Sequence, residues 1–311
     1  MKILVTGGAG FIGSHVSDAL LKKGHEVHII DDLSGGKSEN IPTEAIFHQL
    51  DIRSDGAAEL CSAEHFEVIV HLAAQMDVRR SVADPAFDAS INIIGFLSLM
   101  EAARSAGLKK VIFSSTGGAI YGEPEYLPQD EDHPVRPMSP YGITKLATEK
   151  YLHYYHLAYG IQYVALRYGN VYGPRQNPHG EAGVIAIFAE RMLKGQPVFV
   201  NGSGKQTRDY VYVADVVRAN LAAISHDGSG TFNIGTGVET DVNHLFREIK
   251  RLVGSPMPET HAEAKTGEQM RSVLGCELAH GVLGWKPAVS IDDGLGYTVD
   301  WFLSKVELPD T

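Results

Sequence analysis

The chain has 311 residues, a formal net charge of −11 at neutral pH, 44% hydrophobic and 21% charged residues. These proportions suit one large or two modest domains with a full core, and the acidic balance argues against nucleic acid or an anionic membrane as the main partner. Two cysteines, Cys61 and Cys276, exclude a disulfide framework, show no zinc-type spacing and fit a cytoplasmic protein. Glycine interrupts the N-terminal apolar run too early for a signal peptide, and no run approaches the roughly 18 apolar residues of a membrane span.

Lys2–Thr6 (KILVT) is the first predicted strand and residues 11–23 the first predicted helix. Between them, GGAGFIG places Gly7, Gly10 and Gly13 in a G-x-x-G-x-x-G spacing. One glycine permits the tight turn, another admits a pyrophosphate close to the backbone, and the third lets helix pack on strand. The helix start, from Phe11 and Ile12 onward, offers N–H donors and the positive end of the helix dipole to the phosphates. Gly24 suits the end of that helix. Residues 26–30 (EVHII) form the second strand, and Asp31 stands at its end, where a carboxylate accepts hydrogen bonds from an adenosine ribose. The same charge repels a 2′-phosphate, and Asp32 and Leu33 follow rather than Arg, so NAD is expected over NADP. Asp51 and Ile52, after a third short run, suit either an adenine contact or an ordinary loop start.

Residues 68–72 (VIVHL) and 110–114 (KVIFS) continue the strands, with a helix over about Pro85–Ser105 between them. Ser114, Ser115 and Thr116 end the latter strand, at the sheet edge where a hydroxyl can serve a reaction or cap a turn. Thr116 is the expected catalytic hydroxyl. A helix over Pro140–Tyr159 opens with SPYGITK, Ser139 suiting its N-cap and Pro140 its first turn. Tyr141 and Lys145 lie one turn apart on one face. An ammonium beside a phenol stabilises phenolate, lowering its pKa from about 10, and such a tyrosine can take a proton from a sugar hydroxyl as hydride leaves the same carbon. Alone, Y-x-x-x-K describes a solvated helix face equally well; the glycine loop upstream gives it a catalytic reading. With residues 163–167 (YVALR) the alternation predicts an α/β fold, a doubly wound parallel Rossmann sheet. Beyond Gly173, Pro and Gly recur and the alternation weakens, predicting a smaller α/β lobe. The expected division is 1–172 for an NAD-binding domain, joined again by about 207–236, and 173–311 for a substrate lobe. Fourteen histidines show no metal-ligand spacing, so no metal is expected.

The glycine loop, Asp31, HLAA at 71–74, Asn92, SST at 114–116 and YGITK resemble the extended short-chain dehydrogenase/reductase family. RYGNVYGPRQ (167–176), TRDYVYVAD (207–215), NIGTG (233–237) and LGWKP (283–287) are similar to its nucleotide-sugar 4-epimerase branch, so that the resemblance spans nearly the whole chain. It implies that Leu72, Ala73, Ala74, Asn92, Ser114 and Tyr168 join the cofactor site. It implies a substrate site of Ser115, Thr116, Val184, Asn170 at a phosphate, Arg208 at the diphosphate, Val198 and Val200 at the uracil, Lys265, Glu268 at the ribose, Arg271 and Ser272. Lys265 stands where the family usually has Arg, which loses a bidentate fork, and a small residue at Ser272 widens the space near C2 of the sugar. The implied reaction is NAD-dependent 4-epimerisation of UDP-glucose or UDP-galactose through a transient 4-keto sugar, an isomerase activity. UDP-glucuronate and UDP-N-acetylglucosamine are the alternative substrates. Gly117 and Gly118 stand where sugar-nucleotide dehydratases carry Asp-Glu, which disfavours dehydration, and the intact Thr116, Tyr141 and Lys145 disfavour a non-catalytic NAD-binding regulator. The family also implies a homodimer through the helices over 85–105 and 140–159, using Ile93, Ile94, Leu97, Met100, Tyr151, Tyr154 and Tyr155.

Overall fold

The computed structural model describes residues 1–179, 183–264 and 269–305. Its strands are β1 (Lys2–Thr6), β2 (Glu26–Asp31), β3 (Ile46–Gln49), β4 (Val68–His71), β5 (Lys110–Thr116), β6 (Gln162–Tyr168), β7 (Asn170–Tyr172), β8 (Val200–Asn201), β9 (Thr207–Tyr212), β10 (Gly230–Ile234), β11 (Glu239–Asp241) and β12 (His261–Ala262). Seven of them form a parallel sheet in the order β10-β6-β5-β4-β1-β2-β3. Chain order reverses between β1 and its two neighbours, β2 and β4, and a crevice for a ligand opens at such a switch point beyond the strand ends.

Alternation along the strands builds a core on each face of the sheet. Ile3 and Val5 of β1 join Val16 and Leu20 of the glycine-loop helix (Phe11–Lys22) and Val216 and Ala219 of the helix Val213–Ser225. Leu4 points the other way, to Phe96, Leu99, Val111 and Leu152. The helix Pro85–Ser105 is 21 residues long and apolar enough by composition to cross a membrane. Phe96, Leu99, Met100 and Ala103 nevertheless pack in that second core, and Asp88 and Asn92 are held by buried hydrogen bonds. The helix Pro140–Tyr159 begins as its sequence predicts: Ser139 accepts a hydrogen bond from Gly142 N at 3.1 Å, and Gly160, at φ +71°, ends it.

A smaller lobe carries the sheet β11-β9-β7 and the pair β12-β8. Its core gathers Ile185, Phe188, Met192, Tyr210, Phe246, Ile249 and Phe302. The chain's return to the main sheet differs from the expected 207–236. β9 pairs with β7 and β11 in the small sheet, so the returning segment begins at Val213–Ser225 and ends with β10.

Candidate active site

Gly7 lies at φ +72°, in the left-handed region, and a Cβ there would stand 2.7 Å from Ala73 N. A Cβ on Gly13 would overlap the Gly7 carbonyl. Turn and helix–strand packing therefore both require glycine. Gly10 is the N-cap of the following helix, and no side chain caps it. The first-turn N–H groups are thus placed for an anion. Phe11 and Ile12 contribute there through backbone, since their side chains pack in the third and first cores. Leu72 and Ala73 donate their N–H groups to Thr6 Oγ1, at 3.2 Å each, and Ala74 follows them at the edge of β4. Asp31 accepts from Ala9 N at 3.0 Å and Leu33 N at 2.9 Å, and burial pushes its carboxyl up. The carboxylate so placed fastens the glycine loop to the end of β2. Asp32 accepts from Ser34 instead. These residues fit a dinucleotide: donors for the pyrophosphate, a cradle that a Cβ would fill, and a carboxylate beyond it.

Four of the expected cofactor contacts are engaged elsewhere. Asp51 is paired with Arg53, and Ile52 is buried in the second core against Gly95. Asn92 sits in a π-helical turn, Ser90–Gly95, where its amide accepts from Gln75 N and donates to Gln75 O, Asp88 and Thr144. It ties the end of β4 to two helices. Tyr168 is buried in the first core, its hydroxyl accepting from Asn220 at 2.8 Å.

At the end of β5, Lys145 is 3% exposed and donates to the Ser114 carbonyl at 2.7 Å. Its Nζ lies 4.8 Å from the Phe113 ring centre and 5.8 Å from that of Tyr141. Thr116 accepts from Ala119 N at 3.3 Å, capping the short helix Gly117–Ile120, which leaves its hydroxyl proton available to donate. Burial, and after it the charge of Asp88, pushes the Tyr141 phenol up, while burial lowers the Lys145 ammonium to about 8. In the protein alone the phenol is therefore raised rather than lowered as expected, because desolvation of the phenolate is the largest effect. Asp88 is fully buried and accepts from Thr144, Gln75 and Asn92, and no pattern in the sequence singles it out. His71, hydrogen-bonded to Thr6 Oγ1 at 2.9 Å, is lowered to about 3 by burial and stays neutral.

Ser115 departs from its expected substrate role. Neighbours alternate on a strand, and its hydroxyl donates to Glu149 at 2.6 Å, on the far side from a Thr116-facing site. Glu149 also takes Arg167 Nε at 3.0 Å and a second Arg167 nitrogen at 2.7 Å, forming a buried ion pair.

Across the crevice, Asn170 is exposed, and a Cβ on Gly118 would find only Asn170 Oδ1, at 3.9 Å. A Cβ on Gly117, by contrast, would stand 2.7 Å from the Leu274 methyl groups. Arg208 on β9 donates to the Thr207 carbonyl at 2.8 Å. Val184 starts the helix Val184–Leu193 and packs on the third core. Val198 and Val200 are buried in that core, so their side chains cannot flank a base; Phe199 between them is 48% exposed. The segment is the expected one, but its alternation turns the two valines to the opposite face. Arg271 is exposed and paired with Glu239, and Ser272 is 3% exposed. Lys265 and Glu268 lie outside the described residues. Among the described residues no group of three His, Cys, Asp or Glu is arranged for a metal.

The profile of the NAD dependent epimerase/dehydratase family matches residues 3–235. The chain is 46% identical over 312 residues to the UDP-glucose 4-epimerase of Mycolicibacterium smegmatis, covering 98% of this chain and 99% of that protein. Among solved structures it is similar to the UDP-glucose 4-epimerase of Thermotoga maritima with UDP-glucose, at a TM-score of 0.96 and 49% identity over 99% of this chain and 100% of that one. The UDP-glucose 4-epimerase of Thermus thermophilus in complex with NAD gives a TM-score of 0.91 and 46% identity, covering 98% and 100% of the two chains. In sequence and in fold alike, the chain belongs to the NAD-dependent epimerase/dehydratase family.

Proposed function

We propose that the protein is an isomerase that interconverts UDP-glucose and UDP-galactose by inverting C4 of the sugar. The observation that carries this reading is the meeting of Thr116, Tyr141 and Lys145 at one edge of the sheet, beside the glycine loop, with glycine at 117 and 118. Thr116 donates a hydrogen bond to the C4 oxygen, and Tyr141 removes the C4 hydroxyl proton and later returns it. Lys145, anchored on the Ser114 carbonyl, keeps positive charge beside the phenol and orients the cofactor's ribose. NAD, when bound, would supply the hydride acceptor. Glycines at 117 and 118 bring no acid or base to C5 and C6, so oxidation at C4 ends in re-reduction rather than loss of water.

In this reading the sheet domain, residues 1–172 with 213–234, binds NAD. The smaller sheet grips UDP through Asn170 on β7 and Arg208 on β9 while the sugar turns over about its diphosphate linkage. Two copies pair through the outer faces of Pro85–Ser105 and Pro140–Tyr159, where Ile94, Tyr151 and Tyr154 are exposed; Met100 and Tyr155, also expected at that interface, are buried in the core. The setting is cytoplasmic. Incubating the purified protein with UDP-glucose and measuring UDP-galactose tests the reaction, and absence of product excludes it. The small, buried Ser272 supports a second substrate, UDP-N-acetylglucosamine. Comparing kcat/KM for it, for UDP-glucose and for UDP-glucuronate ranks the three.

A further inference from the structure

Asp209, on β9 next to Arg208, is 1% exposed. Its carboxylate accepts four hydrogen bonds. Thr236 N and Thr236 Oγ1 donate to Oδ1 at 2.7 Å each, and Gly237 N and Leu274 N donate to Oδ2 at 3.1 and 3.2 Å. Three of the four are backbone N–H groups, which can only donate, so the site demands an acceptor at both oxygens. The surrounding chain is shaped to it. A Cβ on Gly235 would overlap Oδ2, and one on Gly169 would stand 2.7 Å from the Asp209 carbonyl.

The segments joined here carry the substrate side of the crevice. β9 pairs with β7, Tyr210 opposite Asn170, and with β11, Arg208 opposite Thr240. The segment 270–274 is fastened to β9 at both ends, by Thr207 N to the Met270 carbonyl at 2.9 Å and by Leu274 N to Asp209. Ser272 lies between those two ties. Alternation along β9 turns Arg208 to the opposite side from Asp209, so the carboxylate holds the strand from behind while the guanidinium stays on the other face.

We propose that Asp209 is the positioning residue of the nucleotide grip. It clamps the turn at Thr236 and Gly237 and the segment 271–274 to β9, and thereby sets Arg208 and Ser272 relative to Asn170. The proposal rests on the reading of Arg208 as the diphosphate ligand. It assigns Asp209 no contact with substrate and no share in proton transfer. In Asp209→Asn, one carboxylate oxygen becomes an NH2 group that meets backbone donors, so the clamp is broken on one side without change of size.

The test titrates UDP calorimetrically into NAD-loaded wild type, Arg208→Ala, Asp209→Asn and Thr236→Val, with bound NAD and Tm measured on the same preparations. Hydrogen bonds to a charged acceptor correspond to about ten- to hundredfold in binding, so Asp209→Asn should bind UDP weaker by that factor. Its KM should rise far more than its kcat falls, with NAD content unchanged. Thr236→Val removes one hydroxyl donor and should weaken UDP by about three- to tenfold. A folded, NAD-loaded Asp209→Asn with wild-type UDP affinity and KM overturns the proposal. So does one that loses kcat and NAD in equal measure, the mark of a scaffold defect. Should Asp209→Asn not fold, Thr236→Val decides by the same criteria. An Arg208→Ala protein that keeps full UDP affinity removes the diphosphate reading and this proposal with it. Weak binding by Arg208→Ala beside wild-type binding by Asp209→Asn removes only the role of Asp209.

Discussion

The two sides of the crevice are built by opposite means. On the cofactor side, each functional group sits at the end of a strand or the start of a helix. The glycine loop is seven residues long by sequence, Asp31 closes it onto Ala9, and Lys145 reaches the strand end that precedes its own helix. On the substrate side, the strands are short and a buried carboxylate ties together segments distant in the chain. Asp209 holds residues 236, 237 and 274. A parallel sheet positions a cofactor through regular hydrogen bonding. The smaller lobe, with its short strands, adds the ties of a buried carboxylate to that bonding.

Breaking the cofactor side at its chemistry has the largest expected effect. Tyr141→Phe should lower turnover by about two to four orders of magnitude while bound NAD persists. A kcat assay with NAD quantified in the same sample checks it, and near-normal turnover would end the proposed proton transfer. Gly13→Ala comes next, because its Cβ meets the rigid Gly7 carbonyl. We expect a stability loss on the order of 2–4 kcal/mol and depleted NAD. Gly118→Ala, entering open space beside Asn170, should leave Tm unchanged, so equal Tm losses would show that the crevice is closed there. Asp31→Ala should weaken NAD about tenfold and narrow its advantage over NADP, read from Kd values for both; an unaltered preference would place the ribose contact on another residue.

The smallest effect is one of pH. His71 is lowered to about 3 by burial, against about 6.5 for the unfolded chain. Between those values only the unfolded state binds the proton, so stability falls as pH falls. From pH 6.5 to 5.5 the loss is about 1 kcal/mol, and His71→Gln should remove that part of the slope in denaturant midpoints taken at the two pH values. An unchanged slope would mean that His71 is charged in the folded protein.

The sheet half is legible in the sequence because fully buried parallel strands appear as short β-branched runs, and because Ser139 and Gly24 mark helix ends by conformational rules. Face assignments are harder. Ser115 belongs to the right hydroxyl triplet but points to Glu149, and Val198 and Val200 lie in the right segment but point into the core. A one-residue change of parity reverses every side chain on a strand. Asn92, Tyr168 and Arg271 depart from expectation for another reason. Their partners, Gln75 and Thr144, Asn220, and Glu239, come from distant elements that no local pattern connects to them. Asp88 and Asp209 are invisible in the sequence for the same reason, since a single buried carboxylate leaves no periodic trace.

The placement of β10 bears on how the protein is made. This strand borders β6 at the edge of the main sheet, yet the chain reaches it only after β7, β8 and β9 have been formed in the smaller lobe. During synthesis β6 therefore emerges long before its outer neighbour, and its row of backbone groups stays unpaired while much of the second lobe is still in the ribosome. An exposed strand edge is a template for pairing with other chains. The nascent protein is thus most exposed to misassociation late in translation, and a fragment ending near residue 172 would keep that edge open permanently.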